Sequence, residues 1–207
     1  GAVSTEQSGT RVEEIVRAIA SSVSIPVWTK ITGQSDKVSN LASSAFKGSA
    51  AAVVMPGRQL GMVPDLETMA PVLGTSCGVG GFWNLPMTCH WLANTREAVG
   101  QGKPLIATNG ARDGHDALRM ILAGASGVAM ASEVMLRGVS VLTEAIGQIQ
   151  QYCDEKGVDV DALIGRAADS RTAFAQAPQV GEIWRNHLPP VSPGIPETNS
   201  EGEDHER

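Results

Sequence analysis

Cysteine is scarce in this chain of 207 residues, which holds only Cys77, Cys89 and Cys153. They are odd in number, far apart and without a CxxC or CxxH neighbour, so neither a disulfide framework nor a zinc or iron–sulfur ligand set is indicated. A reducing, cytoplasmic setting is the expectation. Long apolar runs are lacking as well. No stretch approaches the roughly 18 residues of a membrane helix, and the start carries no charged segment followed by an apolar core, so no membrane role is expected. Nor is there a basic excess: the formal charge is -6, which argues against nucleic acid as a partner, since phosphate neutralisation needs clustered Lys and Arg. The chain opens at Gly1 without a Met, in sequence that resembles a loop inside a domain, and this predicts a truncated or processed chain.

What is present is organised around Lys103 to Glu133, KPLIATNGARDGHDALRMILAGASGVAMASE. Pro104 to Thr108 is a short apolar run that stops at Asn109-Gly110, where backbone N–H groups can approach an anion with little side chain in the way. From Gly114 to Ala123, the apolar residues Ala117, Leu118, Ile121 and Leu122 fall at helical spacing. After Gly124, Gly127 to Ala131 is a second buried run, ending at the small pair Ala131-Ser132. Strand, small-residue turn, helix, strand and small-residue turn make a βαβ unit, with both turns at the carboxyl ends of parallel strands. A plain parallel repeat whose glycines serve only tight turns fits the same pattern.

The first part of the chain has the same alternation. Val12, Ile15, Val16 and Ile19 predict an amphipathic helix over Thr10 to Ser22. Val27 to Ile31 reads as a β-branched strand with Lys30 at its carboxyl end, a charge that is either a snorkelling side chain or a functional one. Ser35 or Asp36 is a candidate cap for a helix through Phe46 with Val38, Leu41, Ala42 and Ala45 inward, and Ala50 to Met55 is the next buried run.

Pro56 to Asn84 breaks the alternation. It is long and rich in Gly, Pro, Met and Thr, the composition of a lid, a binding segment or a disordered loop. Its densest cluster, Cys77-Gly78-Val79-Gly80-Gly81, precedes a helix over Leu85 to Val99, an arrangement competent to hold an anion or cofactor. Met87, His90, Trp91 and Ala98 lie at near-helical spacing there, and His90 reads as packed or solvated because no second histidine is nearby to share a metal. Ser140 to Lys156 predicts a helix with Val141, Leu142, Ala145, Ile149 and Tyr152 inward, and Asp159 to Ala168 one more. Residues 1–188 are expected to form the folded part, and 189–207, rich in Pro, Ser and Glu, a disordered tail.

Four strands, each followed by a helix, amount to half of an eightfold (β/α)8 TIM barrel. Half a barrel leaves open edges, so the other half must come from elsewhere.

With these motifs in place, the chain resembles the carboxyl half of the dihydroorotate and dihydropyrimidine dehydrogenases, which are FMN-binding TIM barrels. The resemblance covers about Gly1 to Gly157 and rests on IPVWTKIT at 25–32, GVGGFWNLP at 78–86, PLIATNGARDGHDALRMILAGAS at 104–126 and GVAMAS at 127–132. It implies an oxidoreductase acting on a CH–CH bond of a small-molecule substrate, with hydride passing from ring C6 to flavin N5. It also implies cofactor-binding roles. Lys30 matches a strand-end lysine that contacts the isoalloxazine and favours negative charge on the reduced flavin. Gly78 and Gly81 match a glycine turn, while Asn109-Gly110 and Ala131-Ser132 match pairs that hold the FMN phosphate through backbone N–H groups.

Two departures stand beside these matches. The family's Asn-Thr pair falls on Pro56-Gly57, and a proline cannot supply that side-chain amide. The family's catalytic base lies in an Asn-x-Ser-Cys-Pro loop expected upstream of Gly1, so no catalytic residue and no metal ligand is assigned within this chain. The partner implied is the missing amino half of the barrel, from the same gene or a second subunit, with a homo-oligomer as a further option. A flavin barrel acting on a non-pyrimidine ring and a non-catalytic partner subunit are the alternatives.

Overall fold

The computed structural model describes residues 8–176. It has two compact units, Gly1–Arg171 and Thr172–Arg207. Of the second, the described part is one 3-10 turn, Phe174–Gln176; the expected tail over 189–207 lies outside the described residues.

In the first unit, helix α1 (Gly9–Ser22) leads to strand β1 (Trp28–Lys30), helix α2 (Val38–Lys47) and strand β2 (Ala52–Met55). An excursion with strands β3 (Gln59–Gly61) and β4 (Cys77–Val79) follows. Then come helix α3 (Leu85–Val99), strand β5 (Leu105–Thr108), helix α4 (Gly114–Leu122), strand β6 (Gly127–Ala129), the short helix α5 (Ser132–Arg137) and helix α6 (Ser140–Lys156). Strands β1, β2, β5 and β6 form one sheet in that order. Every pairing in it is parallel, in the registers Lys30↔Val54, Met55↔Ala107 and Thr108↔Ala129. These are four β/α units of a (β/α)8 barrel, the expected architecture.

The pleat explains where the core sits. Alternate strand residues face opposite sides, and Ile31, Val53, Met55, Leu105 and Ala107 share one side with Val38, Leu41, Ala42 and Ala45 of α2 and Leu92 of α3 in a single buried cluster. Complete burial of a leucine such as Leu41 or Leu105 contributes about 2 kcal/mol. The opposite side bears Trp28, Lys30, Val54, Ile106 and Ala129, and all five are exposed or half-buried. The sheet is thus covered by helices on one face and bare on the face that lines the inside of a closed barrel. Exposed large apolar residues flank both of its edges: Ile15, Ile19, Val23 and Ile25 lead into β1, and Met135, Leu136, Val139 and Ile146 follow β6.

Several expectations change. In α1 only Val16 of the apolar stripe is buried, with Val12 packed against the same core, while Ile15 and Ile19 stay exposed. Neither Ser35 nor Asp36 caps α2. Lys37 occupies the cap position without a side-chain bond, and Ser35 Oγ instead accepts the Lys37 N–H at 3.0 Å in a local turn. Leu142 is 41% exposed on the outer face of α6. Asp159 to Ala168 is a 3-10 turn, Val160–Leu163, and a separate helix α7, Arg166–Asp169. Gly165 separates them in the left-handed region at φ 78°. The buried face of α3 is Thr88, Leu92, Ala93, Thr95 and Arg96 rather than the Met87, His90, Trp91 and Ala98 set.

The excursion over Pro56 to Asn84 is ordered as an antiparallel ribbon. Strand β3 pairs with β4, with Leu60 opposite Gly78, and a further bridge joins Pro64 to Pro71. The ribbon rises from the carboxyl end of β2 and returns to the start of α3 through a 3-10 turn, Phe82–Asn84.

Candidate functional site

Parallel pairing delivers the carboxyl ends of all four sheet strands to one rim. A pocket of about 940 Å3 opens there, a size typical of a small-molecule or cofactor site. All seven candidate residues, Lys30, Gly78, Gly81, Asn109, Gly110, Ala131 and Ser132, line it. They come from the ends of three different strands and from the base of the ribbon, so the fold brings together what the sequence spreads over about a hundred positions.

The β1 and β2 ends meet closely. The Gly57 N–H donates to the Ile31 carbonyl at 3.0 Å, and a Cβ on Gly57 would lie 2.9 Å from that same oxygen. Pro56, where the family pattern has an asparagine, is buried beneath this contact and offers no donor.

The β5 end is built around Asn109, which adopts the left-handed φ of 75° that Asn tolerates. Its carbonyl accepts from Thr88 Oγ1 at 2.7 Å, tying the strand end to α3. Its side-chain Oδ1 accepts both the Gly81 N–H and Asn84 Nδ2, each at 3.3 Å. Asn109 therefore joins β5, the glycine turn and the start of α3. Two polar atoms in this cluster, Asn109 Nδ2 and Asn84 Oδ1, are buried without a hydrogen-bond partner. Gly110 follows at φ 132°, and a Cβ there would meet the Leu85 nitrogen at 2.7 Å.

Beneath the rim, Asp116 of α4 is completely buried. It accepts from Arg112 Nε at 2.7 Å, the Arg112 N–H at 3.2 Å and Arg119 at 2.9 Å. The Asp116 side chain, as hydrogen-bond partner, raises the Arg112 pKa above its ordinary value. The Arg112 guanidinium in turn lies 5.1 Å from the Phe82 ring centre, against the glycine turn. Cys89 of α3 is a thiol pushed up to about 11 by burial first and by Asp116 second, with Arg119 opposing. Among the described residues no His/Cys/Asp/Glu group could hold a metal, and His90 pairs with Asn94 at 3.0 Å. No helix among them is long and apolar enough to cross a membrane.

Sequence reasoning missed Arg58, Asn84 and Thr88, of which Arg58 lines the pocket and the other two hold its wall. The signal for Asn84 and Thr88 was their position in the first turns after the glycine cluster; Arg58 had none, because only the β3–β4 pairing brings it to Gly78.

The dihydroorotate dehydrogenase family model matches residues 1–152. The chain is 31% identical over 156 residues to a dihydroorotate dehydrogenase B (NAD(+)), catalytic subunit, of Methanosarcina acetivorans, covering 74% of this chain and 49% of the other. It is 28% identical over 159 residues to a dihydroorotate dehydrogenase A (fumarate) of Lactobacillus helveticus, covering 75% and 50%. Among solved structures, ligand-free DHODH from Eimeria tenella matches with a TM-score of 0.66 at 18% identity, over 82% of this chain and 52% of that one. The chain spans about half the length of the curated relatives it matches.

Proposed function

This chain belongs to the dihydroorotate dehydrogenase family, and on that premise we propose that its rim pocket binds FMN and serves an FMN-dependent dehydrogenase acting on a CH–CH bond of a dihydropyrimidine. The observation that carries the reading is the convergence of Lys30, the glycine turn and the two small-residue strand ends on a single cavity.

The residues fit the group. At Gly110 the backbone is pressed against Leu85 so that no side chain fits. No described residue accepts the N–H of Gly110 or of Ser132, and the amide of Asn109 is an orphaned donor in the same wall. Unpaired donors beside small residues are what a phosphate needs. Asn109, Gly110, Ala131 and Ser132 would hold that phosphate, while Gly78 and Gly81 would leave room for the chain leading to the ring. FMN, when bound, supplies the hydride acceptor. Lys30, on the bare inner face of β1, lines the same pocket and would favour negative charge on the reduced flavin through its ammonium. The base that removes the substrate proton belongs to the amino half of the barrel, from the same gene or from a second subunit.

A second reading is favoured by Pro56. Without the asparagine amide, the site would suit a ring other than a pyrimidine. Anaerobic mixing of the whole protein with dihydroorotate, dihydrouracil and non-pyrimidine enones separates the two readings by which donor bleaches the flavin. The flavin reading itself fails if the purified whole protein is colourless and added FMN keeps the fluorescence of the free cofactor.

A further inference from the structure

The two strand ends that would hold the phosphate lie beyond the sheet. The last registered pair between β5 and β6 is Thr108↔Ala129, and both Asn109-Gly110 and Ala131-Ser132 come after it. Among the described residues, no backbone hydrogen bond joins 109–113 to 130–137. Packing adds little on the β6 side: α5 has no buried residue, and its Met135 and Leu136 are 87% and 77% exposed. The ladder therefore brings the two ends to one rim without fixing the distance between them.

One side chain makes the tie. Arg137, at the last position of α5, donates from Nη2 to the carbonyl of Arg112, 25 positions earlier, and from Nε to Glu133 at 2.9 Å. Its third nitrogen, Nη1, lies 3.7 Å from Glu144 of α6. Arg112 is itself anchored, because its N–H and its Nε both donate to the fully buried Asp116. The segment after β6 is thus fastened through a single guanidinium to the segment after β5. Arg137 does this from behind: it lines a crevice of about 400 Å3 and not the rim pocket, while Glu133 lines both.

We propose that Arg137 is a positioning residue that holds the two strand ends at the separation a flavin phosphate requires. The proposal rests on the flavin reading for the identity of that phosphate. A phosphate that meets donors already in place need not order them, so an untied pair of strand ends weakens binding even when each donor is intact. The planar fork of a guanidinium holds two acceptors in a fixed geometry, whereas the ammonium of lysine is a point charge on a flexible stem. Direct attraction between Arg137 and the phosphate is the competing account, although Glu133 and Glu144 offset that charge. It requires that lysine serve as well as arginine.

The test is equilibrium binding of FMN and riboflavin to the whole apoprotein by fluorescence quenching, with amide hydrogen exchange read by mass spectrometry over 108–113 and 130–138. Riboflavin carries the same ring without the phosphate. For R137Q, FMN affinity is expected to fall about tenfold while riboflavin affinity stays within about twofold, and the amides of both segments should exchange faster. R137K keeps the charge without the fork and should lose nearly as much FMN affinity. The melting temperature of the apoprotein should stay near that of wild type in both variants, since partly exposed ion pairs add little to global stability. Equal losses for the two flavins, equal wild-type affinities for them, unchanged exchange, or R137K that binds FMN as wild type does would overturn the assignment. If wild type binds neither flavin, the flavin reading falls and exchange decides: acceleration in both segments keeps Arg137 as the tie between the strand ends, and its absence removes it.

Discussion

Asn109 accepts the backbone N–H of Gly81 on its side-chain oxygen, 28 positions away in sequence and 3.3 Å away in space. The same oxygen takes Asn84 Nδ2, so one amide fixes where the glycine turn sits relative to the β5 end. Replacement by glycine keeps the left-handed backbone at little cost but removes this tie. N109G is expected to weaken FMN binding about fivefold, equivalent to ~1 kcal/mol, and to speed hydrogen exchange at the Gly81 amide. N109D keeps an acceptor oxygen and should preserve the slow exchange, which mass spectrometry of the 78–84 segment reads directly.

Gly110 tolerates no side chain. Its φ is 132°, and a Cβ at this position would stand 2.7 Å from the Leu85 nitrogen, so an alanine must push the first turn of α3 away from the strand end. G110A is expected to lose FMN retention on gel filtration while keeping most of its helical circular dichroism. Unaltered retention would show that the cradle is elsewhere.

Asp116 is the buried anchor of two arginines. Neutralising it in D116N leaves Arg112 and Arg119 without their counter-charge and Arg112 without a hold beside Phe82. A loss of about 2–3 kcal/mol in urea unfolding is expected. R119Q should cost much less, because Arg112 still satisfies the carboxylate.

Arg96 of α3 is almost fully buried and grips Asp169 of α7 through two bonds, at 2.8 and 2.9 Å. The bonded Arg96 guanidinium holds the Asp169 carboxyl below its ordinary 3.8. A carboxyl whose folded pKa is lowered adds stability above the unfolded value and loses it as pH falls through the folded one. The melting-temperature difference between wild type and D169N is therefore expected to be full at neutral pH and to shrink as pH drops below about 4. A difference independent of pH would contradict the ion pair.

Cys89, pushed up from 9.0 to about 11 by burial, should react with iodoacetamide at pH 8 about 100-fold more slowly than an ordinary thiol, as its thiolate fraction requires. The folded state keeps a proton that the unfolded chain releases near 9.0, so the associated stability is complete below that pH and is lost towards 11. Peptide mapping after timed alkylation gives the rate.

Much of the architecture could be read from spacing. Val38, Leu41, Ala42 and Ala45 recur at helical intervals and all four are buried; Lys30, Asn109-Gly110 and Ala131-Ser132 end apolar runs, and parallel pairing then gathers them at one rim. Periodicity failed where a helix face is left exposed among the described residues, as for Ile15, Ile19 and Leu142. It failed also where polar residues are buried because partners satisfy them: Thr95 bonds Ser39 across two helices at 3.1 Å, and no one-dimensional pattern announces that pair. The ribbon escaped because a glycine sits in each of its strands, Gly61 and Gly78, and no apolar run marks either one. Arg58 escaped with it.

The registers Lys30↔Val54, Met55↔Ala107 and Thr108↔Ala129 act as a reading frame for the rim. A slip of one residue in any strand would displace its carboxyl end by about 3.3 Å and turn every side chain to the other face. For β1 that would rotate Lys30 from the cavity towards the helices and bring Ile31 out of the core in the same movement. Frame errors in this sheet therefore cannot be silent in stability while altering the site, and variants that alter ligand binding yet melt normally must leave the registers intact, acting at Lys30 on the bare face of β1 or in the loops beyond the strand ends.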